Sequence, residues 1–339
     1  MKALVDTLTI RMSPHVGAIV SVDTIMFHVV LALSPIVGYA IYAFGIAALL
    51  VLATATMSCV LTEHLLCKAS GKPTTIGDWS AVITGLLYGL TLPSSLPLWM
   101  VAVGGVLCIA VGKFVFGGLG HNPFNPALVG RAILQSTFPS AMTTYFSVGD
   151  DRFRSIPSST MAAPFTKPLY DGMSAATPLA QSKFSRTSTD SSDLLLGTVS
   201  GSSGETCAVL ILLGGTYLVA RGMMSWRIPV SILGAVAIFS GVLHLSDPDR
   251  FASPMFMLLS GGLMLGAVFM ATDMVSSPVT PRGRIAFGVL IGVMTVTIRT
   301  WGGAAEGVMY AILIGNAVSP HLDGWMQPRL FGRASETPE

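Results

Sequence analysis

A short polar segment of this chain presents a hydroxyl group suited to covalent modification. The segment reads Asp171-Gly172-Met173-Ser174-Ala175-Ala176-Thr177. Its Asp-Gly pair favours a turn. The small side chains before Thr177 leave its hydroxyl sterically open, and Pro178 ends any regular structure there. An enzyme that esterifies a hydroxyl needs an accessible substrate of this kind, so the segment is a candidate acceptor site. An ordinary Ser/Thr-rich loop is the alternative.

A second candidate site lies where Gly and Pro interrupt an apolar run. Residues 117–126 are too rich in both for a regular helix. Asn122 and Asn125 stand three residues apart within this segment. Their amides present hydrogen-bond donors and acceptors suited to the polar edge of a ligand. The alternative is that Asn caps a broken helix.

A third candidate precedes the second large group of apolar runs. Gly201-Ser202-Ser203-Gly204-Glu205-Thr206 is typical of a helix entrance, where free backbone N–H groups attract anions. Gly204, Glu205 and Thr206 are therefore candidates for contact with the phosphate or ring of a bound cofactor. The alternative is a helix cap, in which Glu205 favours the helix dipole.

Acidic residues inside apolar runs are few, and they suggest ion or proton paths because they are costly in a membrane. Asp78 and Asp273 occupy related places at two such runs, which favours a shared role in an ion path. Interfacial capping or salt bridging is the alternative for both. The six histidines show no ligand spacing, so no metal site is predicted.

Composition places these residues in a multi-pass membrane protein. Hydrophobic residues make up 52% of the chain and charged residues 11%, against roughly 25% charged in soluble domains. The net charge of +2 does not indicate a nucleic-acid partner. The apolar runs predict an all-α fold of about ten transmembrane helices in contact with lipid. The runs lie near 24–43, 45–66, 79–92, 97–116, 124–140, 206–222, 228–245, 252–275, 285–300 and 303–320.

The distribution of Lys and Arg predicts the orientation. With ten spans both termini lie on one side, and that side carries most of the basic residues of the short loops, whereas Arg250 and Arg299 lie opposite. Both termini are therefore expected in the cytoplasm and Thr177 outside. The predicted regions are a cytoplasmic segment 1–22, a first membrane repeat 23–140, an extracytoplasmic loop 141–205, a second repeat 206–322 and a cytoplasmic tail 323–339.

Two similar segments suggest an internal repeat. Residues 84–97 resemble residues 261–278 in their Gly and Leu pattern, and they fall in the third and eighth predicted spans. Five-span halves have opposite orientations, so the repeat would be inverted, with short or broken helices at matching places. Chance similarity between Gly/Leu-rich helices is the alternative.

Several of these motifs together carry a family resemblance. The chain resembles the RnfD/NqrB family, and it is closer to the Rnf electron-transport member, RnfD, than to NqrB of the sodium-pumping NADH:quinone oxidoreductase. Ala175 stands where the family acceptor often has Gly, a change between small residues. The matching segments are 12–15, 120–128, 171–179, 201–206, 270–273 and 316–323.

The resemblance implies a redox function at named residues. FMN would be joined through its phosphate to Thr177 by a flavin transferase, with Asp171 and Ser174 in the same motif. A second, non-covalent flavin, riboflavin or FMN, would lie near Asn122 and Asn125. The chain would be an inner-membrane subunit of an ion-translocating oxidoreductase (translocase), with Rnf subunits of the A, B, C, E and G types as partners and the Thr177 loop in the periplasm.

Partner subunits would handle NADH and ferredoxin or flavodoxin, since this sequence has neither a dinucleotide-binding fingerprint nor an iron–sulfur ligand set. Two other functions stay open at this point. One is a subunit of a sodium-pumping NADH:quinone oxidoreductase, and the other is a flavin-free solute transporter or channel.

Overall fold

The computed structural model describes residues 21–145, 153, 157–164, 177–185, 189–197, 199, 201–205, 207–248 and 250–327. Among these residues all regular elements are helical. The prediction of an all-α protein is thus confirmed for the described part of the chain. Asp171, Ser174 and Thr206 lie outside the described residues.

The helices follow the predicted apolar runs within a few residues at most ends. In the first half they are α1 (Val22–Phe44), α2 (Ile46–Ala69), α3 (Ser80–Leu90), α4 (Leu98–Ile109, extended by a π-helical turn Ala110–Phe114), α5 (Pro126–Thr137) and α6 (Pro139–Met142). The connecting region contains α7 (Pro178–Ala180, followed by a π-helical turn Gln181–Ser185) and α8 (Ser191–Leu196). The second half has α9 (Ala208–Ala220), α10 (Arg227–Ser246), α11 (Pro254–Leu259), α12 (Leu263–Leu265, followed by a π-helical turn Gly266–Met270), α13 (Pro281–Trp301) and α14 (Val308–Trp325).

Within the described part of the chain, four helices are long and apolar enough to cross a membrane: α1, α2, α10 and α13. Their 20 to 24 residues extend about 30–36 Å at 1.5 Å per residue, which matches the hydrocarbon core. In contrast, α3 has 11 residues and reaches only about half that distance. The multi-pass character follows from these helices, and α3 is the half-length helix that the run 79–92 suggested.

Small residues bring the helices of each half close together. In the second half α10 packs along α13, where a Cβ at Gly288 would lie 2.6 Å from the Cβ of Ser231. The same distance separates a Cβ at Gly292 from Ala235. Glycine is therefore required for this close approach, as is common between membrane helices. The two halves meet where α1 packs on α9 and where α5 packs on α14.

The eighth predicted span, 252–275, is interrupted. The chain leaves the helix after Leu259, Ser260 is extended, and Gly261 has a φ of +67°, which favours glycine. The apolar run 252–275 thus contains a broken helix, as was expected for this part of the sequence, but hydropathy could not locate the break because it does not report backbone conformation. The side chain of Arg299 donates to the carbonyls of Met257 (2.6 Å) and Ser260 (2.9 Å), which satisfies backbone acceptors that the interruption releases.

Each broken element is completed by the other half of the protein. The carbonyls of Leu90 and Leu92, at and just beyond the end of α3, accept from the backbone N–H groups of Gly204 (2.6 Å) and Ser203 (3.2 Å). At the end of the π-helical turn after α12, the carbonyl of Met270 accepts from Nδ2 of Asn125 at 3.1 Å. Backbone groups that a short helix leaves free inside a membrane must find such partners. The polar motifs 122–125 and 201–205 are thereby fixed against the broken elements.

Candidate functional site

Thr177 lies on the wall of a cavity of about 370 Å³, which we call the outer cavity. Ligand sites in proteins commonly enclose 300–1,000 Å³, so this volume suits a cofactor-sized group. One wall is the segment from Thr177 to Phe184 and another is the loop before α14. The lining residues include Arg131, Gln135, Thr143, Tyr145, Thr177, Leu179, Phe184, Glu205, Glu306, Met309 and Tyr310.

The backbone presents Thr177 as the N-cap of a helical turn. Its Oγ accepts from the N–H of Ala180 at 3.3 Å, and Pro178 occupies the first helical position. Pro178 therefore begins a helical turn, in which its fixed φ is favourable and its missing N–H costs nothing. Thr177 is partly exposed, and it lies on the cavity wall.

Lys183 fastens the segment that follows Thr177 to the loop before α14. Its Nζ donates to the carbonyls of Gly302 (2.5 Å) and Ala304 (2.9 Å). Partial burial lowers the pKa of Lys183, because desolvation disfavours the charged ammonium. These bonds hold two walls of the outer cavity together.

A buried ion pair lies on the inner wall of the outer cavity. Nη2 of Arg131 donates to Oε2 of Glu306 at 2.8 Å, and the Arg131 side chain is 7% exposed. Oε1 of Glu306 accepts from the N–H of Gly262, at the interruption after α11, at 2.6 Å. Nε of Arg131 has no hydrogen-bond partner among the described residues. Neither residue was predicted as a site residue, although a charged residue within an apolar run was a usable signal.

The predicted segment 201–206 has two different roles in its described part. Glu205 lines the outer cavity, and its Oε1 accepts from the Ser202 hydroxyl at 2.5 Å. Gly204 instead packs against the end of α3, where a Cβ would lie 2.9 Å from the Leu90 carbonyl oxygen. The N-cap of α9 is Cys207, so residues 201–205 do not form the helix cap considered from the sequence.

The two predicted asparagines border a second cavity, which we call the inner cavity. Its volume is about 90 Å³, enough for a few water molecules. Asn125 caps α5, because its side-chain oxygen accepts from the N–H of Ala127 at 3.0 Å. This oxygen therefore has the helix-capping role that was the alternative considered from the sequence. Asn122 is 3% exposed, and its Oδ1 has no partner among the described residues. The lining residues include Met26, Ser80, Lys113, Asn122, Asn125, Met223, Met224, Phe269 and Asp273.

A second buried ion pair adjoins the inner cavity. Nζ of Lys113 donates to Oε1 of Glu63 at 2.7 Å and to the hydroxyl of Ser80 at 2.6 Å. The same Glu63 oxygen accepts from the Thr75 hydroxyl. Ser80 in turn donates its hydroxyl to Oδ1 of Asp78 at 2.5 Å. These contacts form a polar chain from Asp78 to the wall of the inner cavity.

The predicted acids Asp78 and Asp273 are connected to the same cavity. Asp273 lines it directly, and its Oδ2 accepts from the Ser276 hydroxyl at 3.0 Å. Asp78 reaches it through Ser80, and Asp78 also accepts from the N–H of Ser80, the first residue of α3, at 2.9 Å. Asp78 precedes its short helix whereas Asp273 follows the interrupted one. Asp273 is thus in direct contact with the inner cavity, and Asp78 is connected to it through Ser80.

Helix α5 connects the two cavities. Asn125 at its N-cap borders the inner cavity, and Arg131, six positions later, borders the outer one. Six residues of α-helix span about 9 Å, so the two polar sites are close neighbours. Within the described part of the chain, no group of three or more His, Cys, Asp or Glu side chains is placed to hold a metal ion.

Comparison with known proteins shows which family has this arrangement. The model of the NQR2, RnfD, RnfE family matches residues 9–332, nearly the whole chain. The chain belongs to this family. The resemblance seen in its motifs is thereby confirmed.

Curated relatives in the family are similar over almost their full length. The chain is 41% identical to the D component of a proton-translocating ferredoxin:NAD(+) oxidoreductase complex of Clostridium ljungdahlii, covering 96% of this chain and 97% of that protein. It is 40% identical to the D component of a Na(+)-translocating ferredoxin:NAD(+) oxidoreductase complex of Acetobacterium woodii, covering 96% and 95%. It is 37% identical to the D component of an ion-translocating oxidoreductase complex of Alcanivorax borkumensis, covering 95% and 96%. The names of the first two relatives specify different transported ions, so sequence identity to them does not show which ion is transported here.

The outer cavity of this family member fits a flavin in its size and in its donors. Its lining combines apolar side chains such as Leu179 and Met309 with a few polar groups, as cofactor sites do. The free Nε–H of buried Arg131 is a donor for which a ligand could supply the acceptor. The Thr177 hydroxyl provides an attachment point on the same wall.

Proposed function

We propose that this chain is the D-type membrane subunit of an ion-translocating Rnf complex and that it carries FMN esterified to Thr177. It relays electrons between flavins and iron–sulfur centres of partner subunits during transfer between NADH and ferredoxin or flavodoxin. The observation that carries the proposal is the hydroxyl of Thr177 on the wall of a cofactor-sized cavity. The names of the relatives at 41% and 40% identity support the complex and its reaction.

The residues around the outer cavity would bind the flavin, orient it and exclude water. A flavin supplies both one-electron and two-electron chemistry, which suits a carrier between iron–sulfur centres and other flavins. Thr177 anchors the phosphate at the partly exposed edge, while Arg131 and Glu306 supply fixed charges deeper in the cavity. Lys183 keeps the anchoring segment closed over the site through its two carbonyl contacts.

The inner cavity is the proposed place of a second, non-covalent flavin. The partnerless Oδ1 of Asn122 supports this, because it is a buried acceptor for a ligand donor. The cavity volume of about 90 Å³ is below the usual ligand range, so binding requires lining side chains to move aside. Met223 and Met224 are suited to this, since methionine adapts its shape readily.

Asp78 and Asp273 are the proposed ion path at the inner cavity. Their connection through Ser80, and the adjoining Lys113–Glu63 pair, support a path that enters beside α3. Acidic groups at membrane depth commonly mark such paths. The transported ion is either H⁺ or Na⁺.

The proposed topology is ten membrane-crossing elements in two inverted five-element repeats, in the inner membrane, with cytoplasmic termini and a periplasmic Thr177 loop. The two broken elements are third in their halves, which supports the repeat. The basic residues of the short loops support the orientation. The proposed partners are Rnf subunits of the A, B, C, E and G types and a flavin transferase. The transferase would recognise the motif from Asp171 to Thr177, which contains Ser174.

The attachment is tested by in-gel flavin fluorescence of the denatured protein. Thr177→Val should abolish the fluorescence, whereas Thr177→Ser retains a hydroxyl and should keep part of it. Thr143→Val is the matched control, because Thr143 lines the same cavity but its hydroxyl donates to the carbonyl of Pro139. Equal fluorescence in wild type and Thr177→Val would refute the attachment site. A wild-type chain without fluorescence would favour a flavin-free transporter.

A further inference from the structure

Arg131 combines a permanent charge, burial and an unused donor at the outer cavity. Its guanidinium stays protonated under all ordinary conditions and has five N–H donors. Nη2 contacts Glu306, while Nε has no partner among the described residues although Arg131 is 6% exposed. A buried donor of this kind is free to donate to an acceptor on a group that occupies the cavity during function.

Glu306 holds the guanidinium in a fixed position without using all its donors. The carboxylate contacts Arg131 through Oε2 and the backbone N–H of Gly262 through Oε1. The Arg131 guanidinium and the Glu306 carboxylate are therefore positioned before any ligand binds. Such preorganised charges act strongly in a site that excludes water. Glu306 itself is only partly buried, so Arg131 is the deeper member of the pair.

The burial of Arg131 indicates which part of the proposed cofactor it would contact, the phosphate or the ring system. The phosphate would remain at the oxygen of Thr177, which is partly exposed, whereas Arg131 is buried. A ring system attached at Thr177 would have room in the outer cavity, whose lining includes Arg131. Charge near the ring is one of the means by which a protein adjusts the potential of a flavin.

We propose that Arg131, held by Glu306, contacts the flavin ring at the outer cavity and stabilises the negative charge that the ring gains on reduction. This proposal rests on the attachment at Thr177. One electron enters the ring from a one-electron donor of the complex, such as an iron–sulfur centre, and that donor is oxidised by one electron. Arg131 keeps its proton, and no bond of the protein forms or breaks. Arg131 is thus a binding residue that raises the reduction potential.

Opposite changes at the two members of the pair should move the potential in opposite directions. Arg131→Gln removes the positive charge and should shift the one-electron equilibrium at least tenfold toward the oxidised flavin, which is a fall of about 59 mV. Glu306→Gln removes the opposing charge and should shift it toward the reduced flavin. Arg131→Lys retains the charge and should remain closer to wild type. The double variant Arg131→Gln/Glu306→Gln should lie between the two single variants.

The experiment is a reductive titration of the purified complex with dithionite, monitored by flavin absorbance. Covalent loading is first checked by in-gel fluorescence, so the comparison is made at equal flavin content. If Arg131→Gln fails to load, Glu306→Gln and the double variant decide, since the double variant removes both members of the ion pair. One-electron equilibria within twofold of wild type in the loaded Arg131→Gln and Glu306→Gln variants would overturn the proposal. A shift of the reduction potential in the same direction in Arg131→Gln and Glu306→Gln would also overturn it. The cause would then be a general loosening of the structure around the cavity, not the charge of Arg131.

The two proposals fail in different ways. Fluorescence that survives Thr177→Val would refute the attachment site on which both rest. A loaded Arg131→Gln variant with an unchanged potential would refute only the role of Arg131 and leave the attachment intact.

Discussion

Breaking the Lys113–Glu63 pair should destabilise the protein far more than removing an exposed charge. The two side chains are 5% and 3% exposed, and 2.7 Å separates their charged atoms. Removing one member of a buried pair leaves the other uncompensated, which typically costs about 3–5 kcal/mol. We therefore expect losses of this size in Lys113→Met and in Glu63→Gln. Removing both charges avoids the uncompensated ion, so the double variant should lose at least about 2 kcal/mol less than the sum of the single losses.

The measurement is the unfolding of the detergent-solubilised protein, followed for wild type, both single variants and the double variant. Lys68→Met is the control, because Lys68 is exposed near the end of α2 and its loss should stay within about 0.5 kcal/mol. Additive effects of the two single variants would refute the reasoning, since independent sites do not share an interaction energy. Contacts of Lys113 with Ser80 and of Glu63 with Thr75 would then account for the losses separately.

Two further predictions concern the ion path and the helix packing. Asp273→Asn and Asp78→Asn should slow ion-coupled turnover of the assembled complex. Asp23→Asn is the control, because Asp23 is exposed. Unchanged ion transport by both variants in reconstituted vesicles would show that neither acid belongs to the ion path. Gly288→Ala should destabilise the protein by about 1–3 kcal/mol because its Cβ would meet Ser231 at 2.6 Å. Gly234→Ala, in open space on α10, should not lower the unfolding temperature, and equal losses in both variants would contradict the packing argument.

The helices and the residue types of the site were open to prediction because their signals are local. The runs predicted at 24–43 and 228–245 correspond to α1 and α10, since a membrane span is recorded in consecutive apolar residues. The irregular segment 117–126 was predicted from its Gly and Pro content, and the structure has no regular helix between Phe114 and Pro126. Thr177 was selected for its open hydroxyl, and it lies on the outer cavity.

The ion pairs could not be predicted because their members are far apart in the chain. Arg131 and Glu306 are separated by 175 positions, and Lys113 and Glu63 by 50. A single sequence shows that a charge lies in an apolar run but does not show its partner. A broken helix was expected in this part of the chain, but the exact place of the interruption after α11 was hidden, since Ser260 and Gly261 are compatible with an apolar run and Arg299, whose side chain satisfies the interruption, is distant in sequence.

The sequence by itself determined that this chain forms apolar helices with short polar interruptions, because hydropathy and the backbone limits of Gly and Pro act within a few residues. It also determined the chemical groups available at those interruptions. Only the tertiary structure decided which of them meet. Asn125 became a link to Met270, and Glu205 and Arg131 came to share a cavity with Thr177. The physical reason is that buried polar groups must find partners, and those partners are distant in the chain.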